Sequence, residues 1–570
     1  MADAATGQLV SVVAPARIER QAKRPPERLR AVARPRRWPF LVAVAGAIVA
    51  MFAPYLRHGV VLGLDTPVNL VGPYPKTSIA LGGVPPELAA RAPIDAFLQA
   101  VYRALPWGQV RLLPVIAAVA LAALGFWRLF PKRPLAAFGA TLLFVTNPFI
   151  YERVVAGQEF LVLGYCLLPL LLCLIWSERS WRAAMAMGLL LVVLAALSLH
   201  LIFIAGVLCG VYLVSDMIDR RWRGACALLV AAVLAVLGSL YWIVPAIGSW
   251  SRIDVVPVSD LALFRSSPDP RLGLWANLAG LYGFWRRGWP LPKDGLPWWP
   301  MFLLAIVVVG GIGVARGMRD PERRRRLRPL LVVGVIGLLL AAGDQGSFGG
   351  MYAWAFQHVP TFRVMREPQK WLVLLTLAYA VAFGEGLEAC VRATTSIRSR
   401  IAVGGMVLAV VAVYGFSSFW GAGGYVRPSS YPSSWAQADA LMGTGPGLVV
   451  GLPWHRYLAV PWAQDRVVSN PMVSAFRRDV VVSADPEFGG MPEEGRDPLS
   501  SAVGAVLDAG VAGQQVAIEL NRLGVRYLVV AKIDDWQDSG WLYHEDGIVE
   551  VHRWSDLVLF EVVSGDTGRG

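Results

Sequence analysis

The chain has 570 residues, 56% of them hydrophobic and only 16% charged, with a formal net charge of +13 and a mean hydropathy of +0.51. A water-soluble fold of this length needs a more heavily charged surface, so the composition excludes a simple soluble protein, and apolar runs of about 18 or more residues read as membrane spans. The basic balance would suggest nucleic acid in a soluble chain; here the cations follow the ends of the apolar runs and suggest a membrane surface instead, with no nucleic-acid partner.

Residues 1–37 carry Arg17, Arg20, Lys23, Arg24, Arg28, Arg30, Arg34, Arg36 and Arg37 among several prolines. This reads as a disordered basic tail suited to anionic cytoplasmic lipid, too long and too polar for a cleavable signal. The first span is expected near Trp38–Leu56. Further spans are expected near 109–130, 134–147, 160–177, 182–199, 201–217, 224–247, 298–315, 329–342, 370–389 and 401–420. The segment 134–147 is short and open to continuing into the next loop, and a tight turn near His200 divides one long apolar stretch.

With the N-terminus inside, the inside loops are Pro131–Pro134, Glu178–Arg182, Asp219–Arg223, Arg316–Arg328 and Val391–Arg400. Each is short and basic, as the positive-inside rule requires. The expected topology is a multi-pass protein of the plasma (inner) membrane with about eleven helices, its N-terminus cytoplasmic and its C-terminus extracytoplasmic. The inside loops look like plain connectors. The outside loops 57–108, 148–159, 248–297 and 343–369 hold the unusual chemistry.

After Trp420 the sequence turns polar. Leu448–Leu452, Tyr527–Val530 and Leu557–Val563 predict strands, and Ala502–Leu523 predicts one or two helices. The expected fold is therefore an all-α polytopic membrane domain over 38–420 and a small α/β or α+β extracytoplasmic domain over 421–570. The five cysteines, Cys166, Cys173, Cys209, Cys226 and Cys390, show no disulfide or metal spacing.

Four segments are candidates for chemistry. Asp65, in Gly63-Leu64-Asp65-Thr66-Pro67, lies about nine residues past the first span, where a carboxylate serves either as a general base or as a turn and helix-cap residue. The segment Asn147-Pro148-Phe149-Ile150-Tyr151-Glu152-Arg153 with Gly157-Gln158-Glu159 places Arg153 outside, against the trend of the other loops. Arg153 is suited to phosphate, or to a loop-shaping pair with Glu152 or Glu159. The segment Phe362-Arg363-Val364-Met365-Arg366-Glu367-Pro368-Gln369-Lys370 holds three outside cations. It is either a phosphate clamp with Glu367 orienting one arginine or an interfacial ion-pair cluster, with Lys370 snorkelling. Loop 248–297 adds Arg252, Asp254, Arg265, Arg286 and Arg287 with Trp285, Trp289, Trp298 and Trp299, as an aromatic belt or a sugar-stacking surface. Trp454, His455 and Arg456 are the weakest candidates, for an acceptor contact or a role in the fold.

Asp65, NPFIYERVVAGQ, FRVMREPQKW and the C-terminal Leu523-Gly524-Val525-Arg526-Tyr527-Leu528-Val529-Val530 together resemble the multi-spanning glycosyltransferases of the GT-C superfamily. The second and third segments look closest to actinobacterial arabinofuranosyltransferase-like membrane proteins, and the last is similar to the YfhO-type family. The resemblance extends over most of the chain as architecture and over about 40 residues as motif. It implies a polyprenyl-phosphate sugar donor, a cell-envelope glycan or glycolipid acceptor, and inversion in one displacement. Asp65 would deprotonate the acceptor hydroxyl. Arg153, Arg363 and Arg366 would hold the leaving phosphate, with Gln158, Glu367, Lys370 and Arg265 in support. The superfamily's acidic motif is often a pair of adjacent carboxylates, whereas Leu64 and Thr66 flank Asp65. No cofactor is expected, and a divalent metal lacks its second ligand. The rival readings are a flippase, a lipid-linked glycan polymerase or ligase, and a non-catalytic envelope-assembly protein. The sparse mid-span charge counts against the flippase.

Overall fold

The computed structural model describes residues 37–57, 59–65, 86–105, 113–177, 180–248, 259–286, 290–485 and 498–563. The basic tail, the segment following Asp65, and Arg252, Asp254, Arg287 and Trp289 lie outside them.

Apolar sequence makes the first part of the chain helical. The helices are α1 (Trp38–Phe52), α2 (Pro86–Ala104), α3 (Leu113–Leu129), α4 (Pro134–Val145), α5 (Pro148–Val155), α6 (Glu159–Trp176), α7 (Trp181–Leu197) and α8 (Leu199–Ile218). They continue with α9 (Trp222–Gly238), α10 (Leu240–Gly248), α11 (Trp299–Gly317), α12 (Pro321–Ala341), α13 (Gly349–His358), α14 (Leu372–Arg392) and α15 (Ile397–Tyr414). All eleven expected segments are helical, and the division near His200 falls at Ser198, between α7 and α8. The count of spans is smaller on length and composition. Six helices among the described residues are long and apolar enough to cross a membrane, or up to eight if each of two bent pairs is one span. Trp181–Leu197, with 17 residues, is among the shorter apolar helices and stands at the lower limit for crossing a bilayer core. Leu41, Val42, Leu189, Val233, Leu304 and Ile401 are exposed large apolar side chains, as a lipid-facing surface requires.

The short segment 134–147 does continue. Helices α4 and α5 form one bent pair, at 44°. Asn147 makes the break. Its side-chain oxygen accepts from the Ile150 N–H, its amide donates to the Leu143 and Phe144 carbonyls, and Pro148 starts the new helix. The bend turns α5 so that Glu152 and Arg153 are wholly buried.

Helices α11 and α14 pack at glycine. A Cβ on Gly386 would stand 1.8 Å from the Val309 carbonyl oxygen, and one on Gly313 would stand 2.3 Å from the Gly386 nitrogen. Small residues let the two backbones approach where van der Waals packing must hold helices together in lipid. At the far end of α14, Glu385 takes both guanidinium nitrogens of Arg133, at 2.7 and 2.9 Å, and one from Arg323 at 3.2 Å. Two of the basic loops read as plain connectors are therefore clamped to α14.

The C-terminal domain contains α16 (Ser433–Met442), β1 (Leu448–Leu452), β2 (Tyr457–Val460), β3 (Arg466–Ser469), β4 (Val480–Val481), α17 (Pro498–Val511), α18 (Ala517–Arg522), β5 (Val525–Ala531), β6 (Ile548–Arg553) and β7 (Leu557–Val562). Its main sheet has the order β4-β1-β5-β7-β6, parallel on the β4-β1-β5 side and antiparallel beyond. Both faces are covered: Val449, Tyr527 and Val529 pack with α16, and Val450, Leu528 and Val530 pack with α17 and α18. The three expected strands are present. The separate β2–β3 hairpin was not expected, and it reaches back to the membrane domain.

Replacement of Gly386 by valine is expected to break the α11–α14 crossing and to lower stability by about 3 kcal/mol or more. Thermal unfolding of the detergent-purified protein checks this; a melting temperature equal to wild type would refute the packing account.

Candidate functional site

The site begins with the short loop after α1. The Asp65 N–H donates to the Ala156 carbonyl at 2.8 Å, which seats the loop on the α5–α6 turn. On its other side the loop belongs to the C-terminal domain. Leu62 is buried in that domain's core, the Ser469 N–H donates to the Gly63 carbonyl at 3.1 Å, and Val60 forms a β-bridge with Ser429. Asp65 is thus placed between two folded bodies by backbone bonds and a buried leucine.

From Asp65 a chain of polar contacts runs inward. Gln158 donates from Nε2 to Asp65 Oδ2 at 2.8 Å and accepts at Oε1 from Arg153 Nη1 at 3.0 Å. The same Nη1 lies 2.7 Å from Glu367 Oε2, and Glu367 Oε1 is 2.9 Å from Lys370 Nζ. Lys370 Nζ reaches His200 Nε2 at 2.9 Å, and His200 Nδ1 meets Ser198 Oγ at 2.9 Å. A charged lysine can only donate, so His200 accepts at Nε2 and donates from Nδ1 to the serine. Five sequence candidates, Asp65, Gln158, Arg153, Glu367 and Lys370, are brought together from three distant segments. Arg153 pairs with Glu367 from another helix and not with Glu152 or Glu159. Lys370 is buried with two partners and does not snorkel.

Arg153 is 0% exposed. Its cation lies over Phe284 at 4.7 Å and Phe149 at 5.2 Å, while Nε and Nη2 have no hydrogen-bond acceptor among the described residues. One carboxylate, Glu367, serves two cations. Burial works to raise its pKa, but Lys370, Arg153 and His200 outweigh burial and hold the group well below the usual carboxylate range. Asp65 goes the other way. Burial pushes its carboxyl up against the Gln158 hydrogen bond, and the Glu367 charge adds to the push.

Further cations surround the mouth. Arg366 donates from Nη1 to the fully buried Asp260 at 2.8 Å and lies over the Phe264 ring at 4.4 Å. Arg456 attracts charge on both Asp65 and Tyr457. The Tyr457 hydroxyl is pushed up to about 12, first by burial and then by the Asp65 charge, against the pull of Arg456, Arg366 and Arg286. Tyr457 begins the β2 strand and brings the C-terminal domain's hydroxyl into the electrostatic reach of Asp65.

The remaining candidates are placed differently. Arg363 donates to the Phe356 and Gln357 carbonyls at the end of α13. Arg265 pairs with Asp344, its Nε 2.7 Å from Oδ2. Trp454 packs against the C-terminal domain's core, and His455 faces Asp535 at 3.0 Å. Arg456 also donates to the Ala484 carbonyl at 3.2 Å. Among the described residues no group of three His, Cys, Asp or Glu side chains stands close enough to hold a metal ion. Sequence reading missed His200, Asp260 and Tyr457. The first two are single polar residues whose partners lie 170 and 106 positions away. Tyr457 adjoins the quoted Trp454-His455-Arg456 and carried no local signal of its own.

No protein-family model matches this chain, and no curated protein matches it in sequence. Solved structures do. The structure of arabinofuranosyltransferase AftD from Mycobacteria matches with a TM-score of 0.61 and 17% identity over 93% of this chain. The match covers 40% of the AftD chain, so this protein corresponds to less than half of that enzyme's length. A class of its R1389S mutant matches with the same TM-score, 16% identity, and coverage of 93% and 42% of the two chains. ArnT from Cupriavidus metallidurans matches more weakly, at TM-score 0.45 and 15% identity over 92% of this chain and 98% of that one. The likeness to the AftD structures is one of fold.

Replacing Glu367 with glutamine leaves Arg153 and Lys370 buried without their shared counter-charge. The expected cost is about 3–5 kcal/mol. Because the folded group titrates below its unfolded value, its contribution is complete above about pH 4.3 and fades as pH falls further. Unfolding of wild type and E367Q at neutral pH measures the loss; equal stability would refute the shared-carboxylate account.

Proposed function

We propose that this protein is a membrane glycosyltransferase that moves a sugar from a polyprenyl-phosphate donor to an extracytoplasmic cell-envelope glycan or glycolipid. The reading is carried by one observation: a half-buried carboxylate, Asp65, stands at the open end of a buried chain that contains more cations than anions, within a GT-C-type fold. The basic short loops support placing this end of the bundle outside the cytoplasm, where a lipid-borne donor is available within the bilayer.

In the proposed reaction Asp65 takes the proton of the acceptor hydroxyl as its oxygen bonds to the anomeric carbon. The bond from that carbon to the phosphate oxygen breaks, and its electron pair leaves with the phosphate. A single displacement inverts the anomeric centre. The raised affinity of Asp65 for a proton suits a base, since a carboxylate pushed upward is a stronger acceptor. The departing phosphate gains negative charge, which Arg366 and Arg456 at the mouth and the buried Arg153 stabilise without reorganising. Lipid phosphate leaves readily, so positioning and charge supply most of the acceleration. Arabinofuranose is the donor sugar favoured by the AftD-like fold, and Tyr457 with Arg456 is the acceptor-side contact that the C-terminal domain offers.

The test uses purified protein in nanodiscs with radiolabelled polyprenyl-phosphate sugars, arabinofuranose first and mannose second, and an envelope glycan acceptor. Asp65→Asn is expected to lower transfer at least a hundredfold while donor binding stays unchanged. Equal transfer by D65N removes Asp65 from the mechanism. The absence of donor binding across the panel removes the transferase reading.

A second expectation concerns pH. Wild-type kcat/KM should rise with pH through one ionisation above the ordinary aspartate value of about 3.9. Gln158→Leu, which removes a hydrogen bond to the carboxylate, should move that limb to higher pH. A limb that does not move in Q158L would show that another group sets the profile.

A further inference from the structure

A second cavity lies away from the Asp65 chain, on the membrane side of the joint between the first loop and the C-terminal domain. Its volume is about 440 Å³, and Arg57, Arg427, Trp420, Gln464 and two prolines, Pro54 and Pro428, are among its lining residues. That is room for a headgroup-sized ligand.

Three observations bear on what it takes. The first is charge. Arg57 and Arg427 are both exposed, and among the described residues no carboxylate lines the cavity. Arg427 donates Nε to the Gly424 carbonyl at 2.7 Å, which anchors the guanidinium beside another lining residue of the cavity. The second is depth. Arg57 directly follows the apolar segment Trp38–Leu56, so the cavity opens where hydrocarbon gives way to headgroups. Trp420, 60% exposed, sits at that same level, as interfacial tryptophans do.

The third is backbone conformation. Five successive residues are left-handed: Trp420 at φ 56°, Gly421 at 70°, Ala422 at 53°, Gly423 at 67° and Gly424 at 80°. Glycine adopts this freely, but Trp420 and Ala422 each do so at a cost of about 1 kcal/mol or more. Such strain is retained mainly where the local shape serves a ligand or a switch. Here it sets Trp420 and Gly424 in the cavity wall.

We propose that this cavity binds the phosphate of an anionic membrane lipid, with Arg57 and Arg427 on the phosphate oxygens and Trp420 against the adjoining apolar part. Two arginines without a competing carboxylate match a phosphate's several acceptor oxygens. The site is independent of the transferase reading, since it needs only a bilayer. It also adjoins the joint itself: Pro428 precedes Ser429, which bridges Val60, and Arg57 lies three residues before Val60. A lipid bound here joins the first helix's end to the C-terminal domain.

Native mass spectrometry of the full, delipidated chain with phosphatidylglycerol and phosphatidylcholine of equal acyl composition tests the proposal. One phosphatidylglycerol is expected to bind about tenfold more tightly than phosphatidylcholine. R57Q/R427Q should abolish that preference, R57K/R427K should keep most of it, and R398Q, an exposed arginine elsewhere, should leave it intact. An unchanged preference in R57Q/R427Q, or an equal loss in R398Q, overturns the proposal. Matching thermal melts for the variants show that the fold is unaffected. Inorganic phosphate competing as well as the lipid overturns the lipid assignment. Displacement by lower concentrations of polyprenyl monophosphate assigns the site to a carrier lipid, and failure to displace assigns it to bulk phospholipid.

Discussion

The loop between α1 and α2 is held from both sides, and the rest of the candidate site depends on that. Ala156 holds the backbone of Asp65, and the C-terminal domain has taken Leu62 into its own core. Burying a leucine contributes roughly 1.5–3 kcal/mol. The backbone hydrogen bonds of Val60, Gly63 and Asp65 add to that burial in holding the segment in place. A carboxylate on a free loop would sample many positions. Here it has one, hydrogen-bonded to Gln158.

The electrostatics follow from this placement. The buried chain holds Arg153 and Lys370 against Glu367 alone, so it carries an excess positive charge that only an ionised Asp65 or an incoming anion offsets. The environment separates the two carboxylates. Glu367, flanked by cations, ionises more readily than usual, whereas at Asp65 burial outweighs the Gln158 hydrogen bond and the pull of Lys370 and Arg456, so it ionises less readily. Two carboxylates with affinities driven apart are suited to different tasks, one to hold cations in place and one to exchange a proton. Burying three charges is poor design for stability alone, because hydrophobic replacements are often as stable. Their presence is consistent with the proposed phosphate-binding role.

Much of this was legible in the sequence, and what was not has a physical reason. The apolar runs predicted all eleven helical segments, and their alternating basic loops predicted an orientation. Both signals are local. Asp65, Arg153 and Glu367 stood out because a charge beside a span, or a cation on the wrong side of one, is expensive wherever its partner lies. Their mutual contacts were not legible. The Arg153–Glu367 pair spans 214 positions, and nothing near Arg153 distinguishes Glu367 from Glu152 or Glu159. The same limit hid His200 and Asp260. Arg363 and Arg265 carried the same wrong-side signal as Arg153, yet their contacts are with helix-end carbonyls and Asp344, because the signal registers an unusual charge and not its geometry. The number of spans is a separate matter: hydropathy finds helices, and a helix of 17 residues such as Trp181–Leu197, about 25 Å long, stands at the lower limit for crossing the hydrocarbon core.

The β2–β3 hairpin explains why the C-terminal domain is part of the site and not an appendage. Its register pairs Tyr457 with Ser469 and Val460 with Arg466, so one short ribbon has two working ends. At the strand end, Tyr457 lies within the electrostatic reach of Asp65, and the Ser469 N–H donates to the Gly63 carbonyl. At the turn end, Arg466 donates to the Leu62 and Arg427 carbonyls and Gln464 lines the interfacial cavity. The hairpin therefore ties the loop that carries Asp65 and the lining of the interfacial cavity to one element of the C-terminal domain, while Ala156 holds the same loop from the membrane domain.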